Sequence, residues 1–242
     1  MNKNPQRNDI LRRTGLSGVW GLALVCVMSS RMAHAGVSVT PVPTAKPLFS
    51  DSFDADNVVG TSPTHWHVSA PARTTVRVVD ASVTEPFSPP YCVELVDNSP
   101  TGRPEMYREF APAEAGRASA SFKLKSASTA HAALQLRSAR GAHLCSVVFA
   151  DNGMMRYEGA GGNVISTTPW TAGQWQTVQI EWFSDFTYNA SLGDAQIAQR
   201  ARFATNAVPG RVYVTVGYGS ATNKIGYVDD VNVVGAERRS LE

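Results

Sequence analysis

The sequence predicts an all-β protein folded as an antiparallel β-sandwich, and three observations indicate this fold class. First, polar and apolar residues alternate in RASASFKLK (117–125) and in WQTVQIEW (175–182), as in strands with one buried face. Second, about a dozen such short runs are separated by Gly, Pro, Asn and Asp. Third, no long segment carries a helical stripe of apolar residues. Short strands without helices between them favour two packed antiparallel sheets.

The N-terminal segment is predicted to be a cleaved signal peptide over residues 1–35. Two arginines precede the uncharged apolar run GLSGVWGLALVCVMSS (15–30), and AHA (33–35) supplies the small residues of a cleavage site. We therefore expect a secreted protein, periplasmic or extracellular, without a membrane span after cleavage. The alternative is an N-terminal membrane anchor, for which the apolar run is short.

The charge of the remaining chain argues against one class of partner. Loss of residues 1–35 removes five of the 22 basic residues and one of the 20 acidic residues, which leaves a net charge of −2. No run of Lys and Arg remains, so we expect no nucleic-acid partner. The sequence does not set the oligomeric state.

The rest of the chain is predicted to form one domain with short ends. VSVTPVPTAKP (37–47) is rich in Pro and Thr, which predicts an extended spacer over residues 36–47. The domain then covers residues 48–236, and residues 237–242 form a C-terminal tail. Cys92 and Cys145 lie in the domain and either form one disulfide in an oxidising compartment or remain two buried thiols, because their spacing does not decide between these.

The strands follow in order along this domain. Beyond the two alternating runs, short β-rich segments predict strands near 48–53, 76–79, 91–96, 106–110, 132–137, 144–149, 211–219 and 225–234. FTYNASLGDAQIAQRARF (186–203) predicts a hairpin that turns at Gly193 and Asp194. SARGAHL (138–144) and GAGG (159–162) are predicted to be flexible loops, because neither leads from a strand into a helix as a phosphate-binding loop does.

Three segments resemble the laminin-G-like and concanavalin A-like jelly rolls. LFSDSFDADNVVGTSPTHWHV (48–68) resembles their Phe- and Asp-rich opening, TAGQWQTVQIEW (171–182) their Gly-x-Trp strand, and YVDDVNVVG (227–235) their closing strand. The resemblance implies a jelly-roll sandwich and a lectin-like or adhesion module, although this superfamily does not fix one activity.

The resemblance also implies a structural calcium site. Jelly rolls place their first and last strands side by side, which would bring Asp51 and Asp54 near Asp229 and Asp230. Converging carboxylates repel one another, and Ca²⁺ with oxygen ligands relieves this repulsion. We therefore predict Ca²⁺ at Asp51, Asp54 and Asp230, with Asp229 as a further ligand. Simple alternation predicts that Asp229 faces the core with Val231. The alternative is that one aspartate caps a turn and the other is solvated.

The motifs of the known jelly-roll enzymes are missing. Retaining glucanases of this fold carry Glu-x-Asp-x-x-Glu on one strand and alginate lyases carry Gln-x-His, and the sequence contains neither. An enzyme is therefore the alternative hypothesis, as a polysaccharide lyase or glycoside hydrolase. Its catalytic groups would come from His131, Arg137, His143, Arg156 and Tyr157.

Aromatic and arginine side chains near the presumed loops predict a glycan-binding surface. Sugar rings stack on aromatic rings, and Arg binds carboxylates and other oxygen acceptors. The candidates are Arg137, Arg156, Tyr157, Trp170, Tyr188 and Tyr218. Packing inside the sandwich is the alternative for each aromatic, and Trp66, Trp175 and Trp182 are assigned to the core. We therefore predict a carbohydrate-binding or adhesion module, with an envelope-associated protein-binding module as a further alternative.

Overall fold

The computed structural model describes residues 45–126, 131–217 and 223–236. They form β1 Ala45–Asp51, β2 His67–Ser69, β3 Thr74–Asp80, β4 Tyr91–Asp97, β5 Glu105–Glu109, β6 Gly116–Leu124, β7 Ala132–Ser138, β8 His143–Phe149, β9 Met154–Gly159, β10 Gly162–Pro169, β11 Trp175–Trp182, β12 Thr187–Leu192, β13 Ala195–Arg202, β14 Pro209–Thr215 and β15 Lys224–Ala236. No helix in these ranges is long and apolar enough to cross a membrane. The predicted signal peptide, residues 36–44 of the predicted spacer, Tyr218 and the tail lie outside the described residues.

The strands form two antiparallel sheets, which confirms the predicted fold class. Sheet 1 has the order β13-β12-β11-β6-β15-β4-β3, and β1 also pairs with β15. Sheet 2 has the order β10-β9-β8-β7-β14-β5-β2. Both sheets also join strands that are distant in sequence, such as β6 with β15 and β7 with β14, so each face collects residues from separate parts of the domain.

β15 lies in the middle of sheet 1 because both of its edges are paired. β6 pairs along one edge, while β4 and then β1 pair along the other. The first and last strands are therefore adjacent, with Asp51 opposite Val231, as the jelly-roll resemblance implied. β1 begins at Ala45, inside the predicted spacer, because a register shift next to Pro47 accommodates a residue that has no backbone N–H.

The core lies between the sheets and consists of the alternating positions that the sequence indicated. Phe122 of β6 contacts Phe149 of β8 across the two sheets, with ring centroids 5.2 Å apart. The predicted core-facing residues Ala118, Ala120, Phe122, Leu124, Val178, Ile180, Trp182, Val212, Val214 and Val216 are all buried in one cluster, together with Trp66. Burial of each large apolar side chain contributes roughly 1.5–3 kcal/mol.

A second, smaller apolar cluster lies on the outer face of sheet 1. It contains Val79, Cys92 and Tyr227, with Trp175 packed against it. Residues 81–90, which connect β3 to β4, cover this cluster: Trp175 Nε1 donates a hydrogen bond of 2.9 Å to the carbonyl oxygen of Glu85. The prediction that Trp175 belongs to the core is therefore wrong.

Of the two alternatives for Cys92 and Cys145, the structure has both cysteines free and no disulfide between them. Cys92 lies in the outer cluster of sheet 1, whereas Cys145 faces the core from sheet 2. Burial raises the pKa of Cys92 to about 12 and also raises the pKa of Cys145. The alternative of two unlinked buried thiols is what the structure shows.

Three strands of sheet 2 were not predicted from the sequence, namely β2, β9 and β10. The segment 159–162, predicted to be a loop, is the tip of the β9–β10 hairpin. A Cβ on Gly159 would lie 2.3 Å from the carbonyl oxygen of Arg202, so only glycine permits this approach of the hairpin to β13. Burial along β9 does not alternate, which explains why periodicity missed the strand.

Candidate functional site

The register of sheet 2 places one residue from each of its seven strands in a single row. Tyr213 lies between the buried Val212 and Val214, so its side chain faces away from the core. It is opposite Tyr107 on β5 and Gln135 on β7, and the pairing continues to both sheet edges. The row consists of His67, Tyr107, Tyr213, Gln135, Ser146, Glu158 and Asn163. We call this the cross-strand row.

Four planar groups stack at one end of this row. The ring centroids of His67 and Tyr107 are 4.6 Å apart, and those of Tyr107 and Tyr213 are also 4.6 Å apart. The guanidinium of Arg137 lies over the other face of Tyr213, at 3.9 Å from its centroid. Because the inner rings cover one another's faces, this stack presents ring edges and hydroxyl groups outward. Its binding capacity is therefore mainly that of hydrogen-bond donors and acceptors.

A hydrogen-bonded polar layer occupies the middle of the row. Arg137 donates to Gln135 Oε1 from Nη2 at 3.1 Å and from Nε at 3.3 Å. His143 Nε2 and Ser146 Oγ are 2.7 Å apart. Gln135 and Ser146 are only 2% and 0% exposed although they face outward from the sheet. The longer side chains of Arg137 and His143 are therefore the groups that a ligand would meet first.

Three described arginines of this face lie beside glutamates, and Arg137 does not. Arg156 bonds Glu158 at 3.0 Å, Arg211 bonds Glu109 at 2.7 Å, and Arg103 lies 3.6 Å from Glu105. For Arg137 the partners are the Gln135 amide and the Tyr213 ring, and no carboxylate of residues 45–126, 131–217 or 223–236 lies within ion-pair distance. The face therefore has more positive than negative groups.

The environment of His143 favours its neutral form. Burial lowers the pKa of His143 because it removes water from the charged ring. Glu158 opposes this effect, while Arg137 and Arg103 lower the pKa further. A neutral imidazole next to Arg137 is therefore the expected state at neutral pH.

Of the residues predicted to bind ligand or to catalyse, three come together on this face: Arg137, His143 and Arg156. Tyr157 points to the other side of β9 and packs against the core. His131 precedes β7 and lies 3.2 Å from Asp151, so the length of β7 separates it from Arg137. The prediction of a single site containing His131 and Tyr157 is therefore wrong.

Two further predicted ligand-binding residues are core residues. Trp170 is 6% exposed and donates from Nε1 to the carbonyl oxygen of Ala150 at 2.9 Å. Tyr188 is 0% exposed and its hydroxyl donates to the carbonyl oxygen of Glu158 at 2.9 Å. The packing alternative holds for both, because each polar atom is already bonded inside the sandwich. Tyr218 lies outside the described residues.

Asp51 does not join the other predicted calcium ligands. Its Oδ1 accepts the N–H of Phe53 at 2.9 Å, and its Oδ2 accepts Trp66 Nε1 and Arg108 Nη1, each at 2.9 Å. The Arg108 guanidinium and two further donors therefore compensate the charge of this carboxylate without a metal ion. Asp54 shares none of these donors with Asp51, and its Oδ1 accepts the N–H of Tyr91 at 3.2 Å.

Asp229 and Asp230 lie at a bulge in β15. The register shifts between Asp229 and Asn232, and Asp230 has a φ of 48°. Val228 and Val231 therefore both face the core, while Asp229 faces outward. The prediction that Asp229 faces the core with Val231 is wrong, because the inserted residue breaks the alternation.

The β3–β4 connection covers the two aspartates. Ser88 donates its N–H to Asp229 Oδ2 at 2.9 Å and its hydroxyl to Asp230 Oδ1 at 2.8 Å. Asp229 Oδ1 accepts the N–H of Asp230 at 2.8 Å. Asp229 is 0% exposed, and burial raises its pKa to about 7, with further increases from Asp230 and Asp54.

Asp54, Asp229 and Asp230 are the remaining candidate ligands for the predicted calcium ion. Asp230 and Asp54 each repel the charged form of Asp229 and so raise its pKa, and a cation would relieve this repulsion. However, the described part of the chain contains no group of three His, Cys, Asp or Glu side chains arranged to hold a metal ion. Backbone N–H groups provide the partners that the turn-capping alternative requires. Calcium stays a prediction.

Comparison with known proteins identifies the fold and not a family. No family model matches the chain, and no curated protein matches its sequence. A sialidase has a TM-score of 0.64 at 12% identity over 81% of this chain, which covers only 19% of the sialidase. The cellulose-induced protein Cip1 has a TM-score of 0.57 at 18% identity over 78% of this chain and 100% of its own. The carbohydrate esterase vb_24B_21 from the Shiga toxin-encoding bacteriophage phi24B has a TM-score of 0.55 at 13% identity over 80% of this chain and 100% of its own. These likenesses show a β-sandwich consistent with the jelly-roll resemblance.

Proposed function

We propose that this protein is a glycan-binding module whose ligand lies across the outer face of sheet 2. The observation that carries the proposal is the cross-strand row, which brings imidazole, tyrosine, amide, hydroxyl and carboxylate groups together from all seven strands, with the Arg137 guanidinium beside it. Such groups donate and accept the hydrogen bonds that sugar hydroxyls form. The names of the fold neighbours agree with this proposal, since they include a sialidase, a cellulose-induced protein and a carbohydrate esterase.

The length of the row favours an oligosaccharide or polysaccharide over a single sugar. Neighbouring strands lie about 4.8 Å apart, so a row across seven strands extends for roughly 29 Å. Several sugar units fit along this distance. A ligand of this length would contact Tyr107, Arg137 and His143 in turn.

A glycan array followed by calorimetry of the best ligand tests the proposal. Tyr107 is half-buried and its ring lies between His67 and Tyr213 in the stack, so Tyr107→Ala should weaken binding about tenfold through lost hydrogen bonds and contact area. The matched control is Gln179→Ala, which changes a half-buried polar residue on the outer face of sheet 1. Equal losses in both variants, or no glycan bound by the wild type, would refute the proposal.

A polysaccharide lyase on the same face is the second candidate. The favouring observation is the neutral His143 beside Arg137, because elimination from a sugar acid needs a base and a group that neutralises the carboxylate. His143 would accept the proton next to the carboxylate, a carbon–carbon double bond would form as the glycosidic C–O bond breaks, and the departing oxygen would take a proton from water. Ultraviolet absorbance of that unsaturated product distinguishes the two candidates. If neither glycan binding nor product is found, a protein-binding module becomes the better hypothesis.

We also propose that the protein is exported, with residues 1–35 as its signal peptide. The support is the basic head, the apolar run and the small residues of AHA (33–35). Export would place the glycan-binding face in the periplasm or outside the cell, where polysaccharides are available.

A further inference from the structure

We infer that the ligand is an acidic glycan and that Arg137 binds its carboxylate. This inference rests on the proposed glycan-binding function and specifies the ligand class of the same face. It starts from the distribution of charges, because three arginines of this face lie beside glutamates and Arg137 does not.

The donors of Arg137 are only partly used. A guanidinium carries five N–H donors, and Gln135 Oε1 accepts from Nε and from Nη2. The Nη groups retain donors in the fork arrangement that matches the two oxygens of a carboxylate. The contact with Tyr213 and the bonds to Gln135 hold the guanidinium in place, so little conformational entropy is lost on binding.

The neighbour of Arg137 on β14 supplies an independent observation. Arg137 is directly opposite Arg211 in the register of β7 and β14. Directly opposite residues have Cβ atoms about 5 Å apart, and like charges there are destabilising. Glu109 lies on β5, on the side of β14 away from Arg137, and its carboxylate pairs with Arg211. It therefore compensates the charge of Arg211 but not that of Arg137. An anionic ligand group beside Arg137 would remove this repulsion.

The test compares a polyuronate with the same polymer after its carboxyl groups have been reduced. Both polymers have the same linkages and hydroxyl pattern apart from the carboxyl positions. The wild type should bind the polyuronate about tenfold to a hundredfold more tightly, as expected for charge-assisted hydrogen bonds to one carboxylate. Arg137→Met should weaken binding of the polyuronate far more than binding of the reduced polymer and so abolish this preference, whereas Arg137→Lys should retain part of it.

Arg140→Met is the control variant, since Arg140 is exposed in the β7–β8 turn and the substitution removes the same charge. It should keep the preference of the wild type. Thermal unfolding of each variant confirms that it is folded.

Each other outcome has a defined meaning. Equal binding of the two polymers, or a preference that survives in Arg137→Met, overturns the inference and leaves the glycan-binding function in place. Equally tight binding of polyglutamate also overturns it, because general attraction of polyanions would then suffice. Binding of neither polymer, together with an empty glycan array, refutes the proposed function itself.

Discussion

Replacing Asp229 with asparagine should remove a pH-dependent loss of stability. The Asp229 carboxylate is 0% exposed, and burial raises its pKa to about 7 from an ordinary value of 3.8, even though the N–H groups of Ser88 and Asp230 oppose the shift. Between these two values the folded protein binds more protons than the unfolded chain, so stability falls as pH rises through this window. The corresponding penalty on the charged form is about 4 kcal/mol.

Denaturant unfolding of the wild type and Asp229→Asn, at several pH values from about 4 to about 8, measures this effect. The difference in unfolding free energy, variant minus wild type, should increase as pH rises, by up to about 4 kcal/mol across the window. Asp194→Asn, at the exposed β12–β13 turn, is the control and should follow the wild type. A difference between Asp229→Asn and the wild type that stays constant with pH would refute the account of this buried carboxylate.

Three further predictions concern metal, packing and thiols. If calcium binds near Asp229, added Ca²⁺ should raise the melting temperature and EDTA should lower it. A melting temperature that responds to neither would refute the calcium prediction. Gly116→Ala should cost at least about 1–3 kcal/mol, because the added Cβ would lie 2.4 Å from the carbonyl oxygen of Val234. Gly161→Ala, with no atom within 4 Å of its Cβ, is the matched control, and an equal cost would contradict the packing argument. Cys92 and Cys145 should resist thiol reagents until the protein unfolds. A disulfide-linked pair of peptides containing these two residues in a protease digest would contradict the free thiols.

The fold was predictable where a strand has one buried and one exposed face. In β6, β11 and β14 the core-facing apolar residues recur at every second position, so they could be identified from the sequence. β9 does not alternate in this way, and residues 159–162 at the tip of its hairpin with β10 were predicted to be a flexible loop. The bulge at Asp230 was also not predictable, because a single inserted residue leaves no mark on composition.

The site was less predictable, because it depends on which strands are neighbours. Alternation alone places Tyr213 and Gln135 away from the core, since each lies between buried aliphatic residues. The sequence does not show that β7, β14 and β5 are adjacent, which is what brings these side chains together with Tyr107. Aromatic type was a poor guide, since Tyr188 is a core residue.

The central claim is that sheet 2 and not sheet 1 holds the glycan. Hydroxyl-radical footprinting with and without a bound polysaccharide measures this most directly, because both outer faces carry reactive side chains. The account predicts that Tyr107 and the exposed His67 become protected, while Trp175 on the outer face of sheet 1 and Phe87, which packs against it from the β3–β4 connection, do not change. Protection of Phe87 and Trp175 with no change at Tyr107 and His67 would contradict it.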